Sequence, residues 1–316
     1  MSLYLFSNNP PEGWHKACKE AGRLFHTPGW QHLLETSFGC RTVYAWDEIR
    51  GGGAAFSIFN AGPFRVAYLG FPVGSFLGQS GSYAGLLQSW RSQTAISLPA
   101  CVRVPVSSLD PDPGLKLPAA RTPETAIENL SAWSLQSTSS NIRRDLKKAG
   151  RAALECGNAD SDKDAAAVFD LYEATIQRNR GSMRYTRAYF TSLVRLSRSL
   201  DNLRVRVARK NGQIVAFNAS ALDGSRGYYL HGGMDVAARN DRPGAPLMFE
   251  AIRWAQQSGG QSFNFLSSPV GQESLVRYKE KWGGTTRDHF TYTQKLSASY
   301  PLFRLAEWLH RSLGRR

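Results

Sequence analysis

The order of apolar and polar positions predicts alternating helices and strands along most of the 316 residues. Helical spacing runs through Trp14–Ala21 and Gly29–Phe38; Thr27-Pro28 supplies a cap and a first-turn proline for the second helix. Strand-like runs follow at Arg41–Trp46, Ala54–Asn60 and Arg65–Gly70, separated by Gly51-Gly52-Gly53 and Gly62-Pro63. Tyr83–Ser92 reads as a helix and Ile96–Val104 as a strand. Pro105–Pro123, rich in Pro, Asp and Ser, reads as loop or crossover.

The second half is clearer. A basic helix is expected from Ser139-Ser140-Asn141 to Ala149, with Ile142 and Leu146 on one face. Helices are expected over Asp164–Arg180, with Ala167, Leu171 and Ala174 as a buried stripe, and over Thr186–Arg198. A strand meander then covers Leu203–Lys210, Ile214–Leu222 and Gly227–Gly232, with the hairpin signal Asn211-Gly212 between the first two. Pro246–Gln257 is a helix stopped by Gly259-Gly260, Ser262–Leu266 a short apolar strand, Leu275–Lys281 helical, and His289–Gln294 a last strand. Both halves therefore share an order of elements, without an exact sequence repeat.

Charge divides the chain unequally. Residues 1–135 hold 10 Lys/Arg against 9 Asp/Glu, whereas residues 136–316 hold 29 against 16, nearly all of the net +14. A basic lobe beside a neutral one suits a polyanion such as RNA, a nucleotide-linked substrate, coenzyme A or an acidic membrane. The alternative is a soluble, self-repelling basic surface. The four cysteines, Cys18, Cys40, Cys101 and Cys156, lie far apart with no metal spacing, as in a reduced cytoplasmic chain. Met1–Phe6, without a basic region and soon followed by Pro10-Pro11, does not read as a signal peptide, and no run of 18 apolar residues predicts a transmembrane helix. Walker, Gly-x-Ser-x-Gly and HExxH motifs are missing, so no metal site is expected.

One stretch carries chemistry. Helical spacing through Gln272–Tyr278 ends in Trp282-Gly283-Gly284, which carries Lys279 to a turn beside the end of the strand Ser262–Leu266. A lysine held there can meet negative charge that develops during acyl transfer. It can equally be a solvated lysine before an ordinary glycine stop.

Four segments together resemble the GNAT acyltransferase superfamily, and most closely its Fem-type branch, which carries two such folds in tandem. They are Phe25-His26-Thr27-Pro28-Gly29-Trp30, the basic helix Asn141–Ala149, Tyr228-Tyr229-Leu230-His231-Gly232-Gly233 with Ala245-Pro246-Leu247-Met248, and Tyr278-Lys279-Glu280-Lys281-Trp282-Gly283. The likeness runs over roughly residues 20–295 and rests on order and spacing. It implies an α/β (α+β) protein of tandem GNAT-like folds, each a mixed, mostly antiparallel sheet flanked by helices. The expected divisions are a first lobe over 1–135, a second over 136–296 carrying the signature, and a basic amphipathic helix over 297–316.

The resemblance implies N-acylation of an amine. Fem-type enzymes take an aminoacyl-tRNA donor and a cell-wall precursor peptide; related acetyltransferase-like proteins take acyl-CoA and an amino sugar or metabolite. The matched lysine, Lys279, would stabilise the oxyanion, with Tyr278 and Trp282 beside the substrate. No tightly bound cofactor is implied. GNAT members that use coenzyme A cradle its pyrophosphate on a glycine-rich turn at a helix N-terminus. Here the turn is Arg239-Asn240-Asp241-Arg242-Pro243-Gly244-Ala245-Pro246, where two prolines remove N–H donors and Arg239 and Arg242 remain to touch phosphate. That favours aminoacyl-tRNA over acetyl-CoA. Some relatives carry a carboxylate where this chain has Asn264, which weakens any claim of a protein general base.

Other candidates keep two readings. Arg178, Arg180, Arg184 and Arg187 can bind phosphates, as Arg144 can, or simply end a solvated helix. Tyr185 and Tyr189 line the same groove or pack. Tyr229 and His231, two apart on a strand, share a face and can orient an amine or relay a proton, or sit satisfied in the core. Ser267 and Ser268 can touch substrate or form a turn. In the tail, Leu302, Leu305, Leu309 and Leu313 form a helical stripe with Phe303 and Trp308 near it, and Arg304, Arg311, Arg315 and Arg316 oppose Glu307 alone. This helix can rest on an anionic membrane at its inner face, near lipid-linked acceptors, or dock on its own domain.

The expectation is a cytoplasmic transferase moving an aminoacyl or acyl group onto an amine of a cell-envelope precursor or peptide. The rivals are an acyl-CoA N-acyltransferase of polysaccharide or metabolite synthesis, and a non-catalytic RNA-binding or scaffold protein on a decayed transferase fold.

Overall fold

The computed structural model describes residues 4–78, 83–93, 98–110, 113–116, 118–179 and 181–313. In chain order the elements are β1 (Leu5–Ser7), α1 (Trp14–Glu20), α2 (Pro28–Phe38), β2 (Arg41–Asp47), β3 (Gly52–Ala61), β4 (Phe64–Leu69), α3 (Tyr83–Ser92), β5 (Cys101–Val106) and β6 (Pro118–Ile127). Then come α4 (Ser140–Ala149), β7 (Glu155–Asn158), α5 (Asp162–Arg178), α6 (Arg187–Ser197), β8 (Leu203–Lys210), β9 (Gln213–Asp223) and β10 (Arg226–Met234). The chain closes with α7 (Gly244–Gln257), β11 (Ser262–Ser267), α8 (Glu273–Glu280), β12 (Thr285–Lys295) and α9 (Tyr300–Leu313).

Local rules explain the clearest elements. The Thr27 hydroxyl accepts the Trp30 N–H at 3.2 Å and Pro28 opens α2, as the cap signal predicts. Asn211 and Gly212 take φ of 51° and 75°, the two positive values a tight hairpin between β8 and β9 requires.

The chain folds as two compact units, Met1–Ala21 with Phe25–Arg121 and His289–Arg316, and Gly22–Leu24 with Thr122–Asp288. These boundaries differ from divisions at 135/136 and 296/297. The last strand and helix go with the first unit because β12 pairs with β5 from Phe290 to Lys295 and Phe303 packs on Phe64. Each unit repeats one strand scheme. In the first, β1, β2, β3 and β4 run antiparallel, β4 pairs parallel with β5, and β12 adds antiparallel to β5. In the second, β7, β8, β9 and β10 run antiparallel, β10 pairs parallel with β11, and β6 adds antiparallel to β11. The shared order of elements is thus a shared topology.

Trp90, Phe56 and Val104 are central to the first core; Trp133, Ile252, Phe263, Phe265 and Trp282 are central to the second. Three strands differ from expectation. Sequence reading gives no β1, β6 or β7, because β1 and β7 are short edges and β6 is broken by Pro118 and Pro123, residues that argue against a strand. The start of the strand expected at Ile96 and the residue Arg180 lie outside the described residues. No helix among the described residues is long and apolar enough to cross a membrane.

Candidate active site

The site is built on the parallel pair β10–β11. Strand β11 stays in register with β6 to Asn264, then shifts before Ser267. At the shift Leu266 adopts φ +58°, a left-handed conformation unusual for leucine. The Asn264 side chain, fully buried, accepts the Leu266 N–H at 2.7 Å and holds that turn. The Leu266 carbonyl accepts the Lys279 ammonium at 2.7 Å, and the Ser268 hydroxyl accepts it at 2.8 Å. Ser268 is itself buried and donates its N–H to the Pro123 carbonyl at 2.7 Å.

Lys279 stands on the last turn of α8 with 3% of its surface exposed. Desolvation pulls its ammonium down to about 8, while the charge of buried Glu124 acts in the opposite direction. The lysine therefore keeps its charge near neutral pH in a dry setting, where a positive charge acts strongly on a nearby oxyanion.

The segment after Lys279 anchors it. Trp282 is fully buried in the second core, so it packs and does not face substrate as expected. Its carbonyl accepts the Trp133 indole N–H at 2.7 Å, and the Lys281 carbonyl accepts the Ser139 N–H at 2.8 Å. Gly283 has φ +88°, and a Cβ there would lie 2.9 Å from the Ser137 carbonyl. The aromatic-Gly pair thus clamps the end of α8 against the entry to α4. Tyr278, beside Lys279, is 37% exposed.

Tyr229 and His231 do not share a face. A bulge in β10 sets Tyr229 opposite Ser220 and His231 opposite the adjacent Ala219, so the extra residue reverses the alternation. Tyr229 packs on the second core with α4 and α7, and its hydroxyl lies over Gly232. Burial, then the neighbouring Tyr278, pushes its phenol well up. His231 turns to α5 and α6, ringed by Tyr172, Tyr185, Tyr189 and Phe190. It shares a 2.9 Å hydrogen bond with the Tyr189 hydroxyl. Desolvation pulls its imidazole down to about 3, out of the range expected of a proton relay. Burial also raises Tyr185 to about 12 and pushes the Tyr189 phenol well up. Tyr185 and Tyr189 belong to this aromatic box, and Tyr189 is buried.

The basic side chains fall in two places. Arg144 donates to Asn141 and lines a surface groove with Lys147, Lys148 and Arg151 of the α4 segment and Asp241. Arg242, at φ +57°, pairs with Asp145 of α4 at 3.1 Å, and Asp241 pairs with Lys210 at 2.5 Å. Arg239 lies in the short turn before them. The start of α7 has no side-chain cap, its Ala245 N–H is spent on the Arg242 carbonyl at 3.0 Å, and Pro243 and Pro246 have none. On the other side of β10, Arg178 donates to the Met234 carbonyl at 3.4 Å, Arg187 pairs with Asp170 at 2.8 Å, and Arg184 is exposed. So Tyr278 neighbours Tyr229 and Asp145 of α4, Lys279 is held by Leu266 and Ser268, and His231, Tyr185 and Tyr189 form a separate cluster. Sequence reading passes over Glu124, which directly follows the stretch Pro105–Pro123 read as loop, and gives Ser268 no link to Lys279. No group of His, Cys, Asp or Glu among the described residues is arranged to hold a metal ion.

The sequence profile of the acetyltransferase (GNAT) domain matches residues 136–280, a span that holds α4, the bulged β10, β11 and Lys279. No curated protein sequence matches the chain. Among solved structures, FemX superposes with a TM-score of 0.70 at 12% identity, covering 95% of this chain and 99% of that one. The C-terminal domain of a putative lysylphosphatidylglycerol synthetase from Agrobacterium fabrum gives 0.60 at 14%, covering 96% and 98%. L-PGS from Bacillus licheniformis gives 0.60 at 14%, covering 97% and 98%. Residues 136–280, which hold the buried lysine, thus carry the acetyltransferase (GNAT) domain, and nearly the whole chain shares the fold of FemX.

Proposed function

We propose that this protein transfers an aminoacyl group from aminoacyl-tRNA onto an amine of a cell-envelope precursor or peptide. The observation that carries the reading is Lys279: a desolvated ammonium held by Leu266 and Ser268 with two of its three N–H donors. The remaining N–H serves the oxyanion. The amine nitrogen attacks the ester carbonyl, a C–N bond forms, and the carbonyl oxygen takes up negative charge beside Lys279. Collapse breaks the C–O bond to the ribose; the amine proton leaves through water or the departing hydroxyl. Holding both substrates in line supplies much of the acceleration, and no protein general base is required.

Two features support tRNA as the donor. The start of α7 offers few free N–H groups to a pyrophosphate, and Arg242 is engaged with Asp145. The groove of Arg144, Lys147, Lys148 and Arg151 offers side-chain cations to a polyanion backbone. The structural likeness to FemX and to a putative lysylphosphatidylglycerol synthetase supports an acceptor in the cell envelope. The test is transfer of radiolabel from a bulk pool of charged tRNA to extracted envelope precursors. Wild-type protein should transfer label and Lys279→Met should lose at least ~10²-fold, the scale for an oxyanion donor. Transfer from acyl-CoA alone would replace this donor by the alternative one.

A further inference from the structure

Among the described residues, the C-terminal helix α9 docks on its own unit by one edge. Phe303 is buried against Phe64 and Tyr300, and the Glu307 carboxylate reaches inward to Arg103 at 2.5 Å. The opposite arc is left open. Leu302, Leu305, Trp308 and Leu309 are 63, 54, 62 and 44% exposed. They recur at helical spacing, so the four side chains form one stripe. A stripe of large apolar residues, in contrast to scattered ones, marks an interaction surface.

The charges beside the stripe are of one sign. Glu307, the single acid of the helix, is held by Arg103 and also accepts from Arg304 at 3.4 Å. Arg304 is half exposed next to the stripe, and the sequence continues with Arg311, Arg315 and Arg316. Trp308 adds an indole, a side chain that favours the boundary between hydrocarbon and water. At 14 residues the helix is too short to span a bilayer. An apolar stripe bordered by arginine, with its one acid turned inward, fits a helix lying in the plane of an anionic surface.

We propose that α9 is an interfacial helix that seats this protein on anionic lipid through Leu302, Leu305, Trp308 and Leu309, with arginine at the headgroups. The inference does not depend on the donor or on the chemistry at Lys279. It is tested on the full chain by co-sedimentation with vesicles of phosphatidylcholine, with and without phosphatidylglycerol, at fixed salt. The expected result is binding to the anionic vesicles, at least ~10-fold weaker without phosphatidylglycerol and weakened by added salt. The double substitution Leu305→Glu/Leu309→Glu should lower binding at least ~10-fold, since each leucine removes substantial apolar area from water. Both positions are exposed, so thermal unfolding should stay near wild type. Arg304→Gln should lower binding by roughly fivefold. Failure of the wild type to bind, equal binding by the double variant, or indifference to phosphatidylglycerol would overturn the proposal. So would a wild-type dimer in sedimentation that the double variant dissolves, because the stripe would then meet a second copy of this chain.

Discussion

Replacing Lys279 by methionine should separate catalysis from stability. The ammonium's fall from 10.5 to about 8 corresponds to about 3 kcal/mol by which burial disfavours the charged form below pH 8. Two hydrogen bonds, to the Leu266 carbonyl and the Ser268 hydroxyl, are worth about 1 kcal/mol each and disappear in the variant. Methionine fills a similar volume, so Lys279→Met should be between unchanged and about 2 kcal/mol more stable at pH 7. Turnover should nonetheless fall about 10²- to 10³-fold. The pH dependence follows from the sign of the shift. Between about 8 and 10.5 the unfolded chain holds a proton that the folded lysine has lost, so wild-type stability rises relative to the variant through that window. Wild-type turnover should fall as pH rises through about 8, when the ammonium is lost. Urea unfolding of both proteins at about pH 7 and pH 10, with turnover on the same preparations, provides the assay. A variant destabilised by more than about 2 kcal/mol, or one that retains turnover within tenfold, would refute the reasoning.

Three further outcomes are expected. Gly283→Ala places a Cβ 2.9 Å from the Ser137 carbonyl at φ +88°, so it should destabilise the chain by about 1–3 kcal/mol, measured by thermal unfolding. His231 should stay neutral in an NMR titration down to about pH 4, and the pH–rate profile should show no step near 6.5 that His231→Gln removes. Changing Arg144, Lys147, Lys148 and Arg151 together to alanine should weaken tRNA binding and reduce the slope of log affinity against log salt by about 3.

The sequence is legible where short-range rules act alone. The Thr27-Pro28 start of α2, the Asn211-Gly212 hairpin and the helix that carries Lys279 to its last turn all follow from local signals. The rest depends on pairing across the sheet. One inserted residue in β10 sends Tyr229 and His231 to opposite faces, and no pattern along Tyr228–Gly233 announces it. Leucine gives no warning of φ +58° at Leu266; the buried Asn264 beside it is the trace of that turn. Glu124 escapes notice directly after Pro123, in a strand whose first half reads as loop. Trp282 shows how a motif position can be read for the wrong reason: the ring that follows the lysine fastens the helix from inside the core.

Calorimetric titration of the wild-type protein decides whether aminoacyl-tRNA is the donor. Charged tRNA and coenzyme A are compared at one fixed salt concentration. Saturable binding of charged tRNA and no comparable binding of coenzyme A are expected. Micromolar coenzyme A binding without tRNA binding would contradict a tRNA donor.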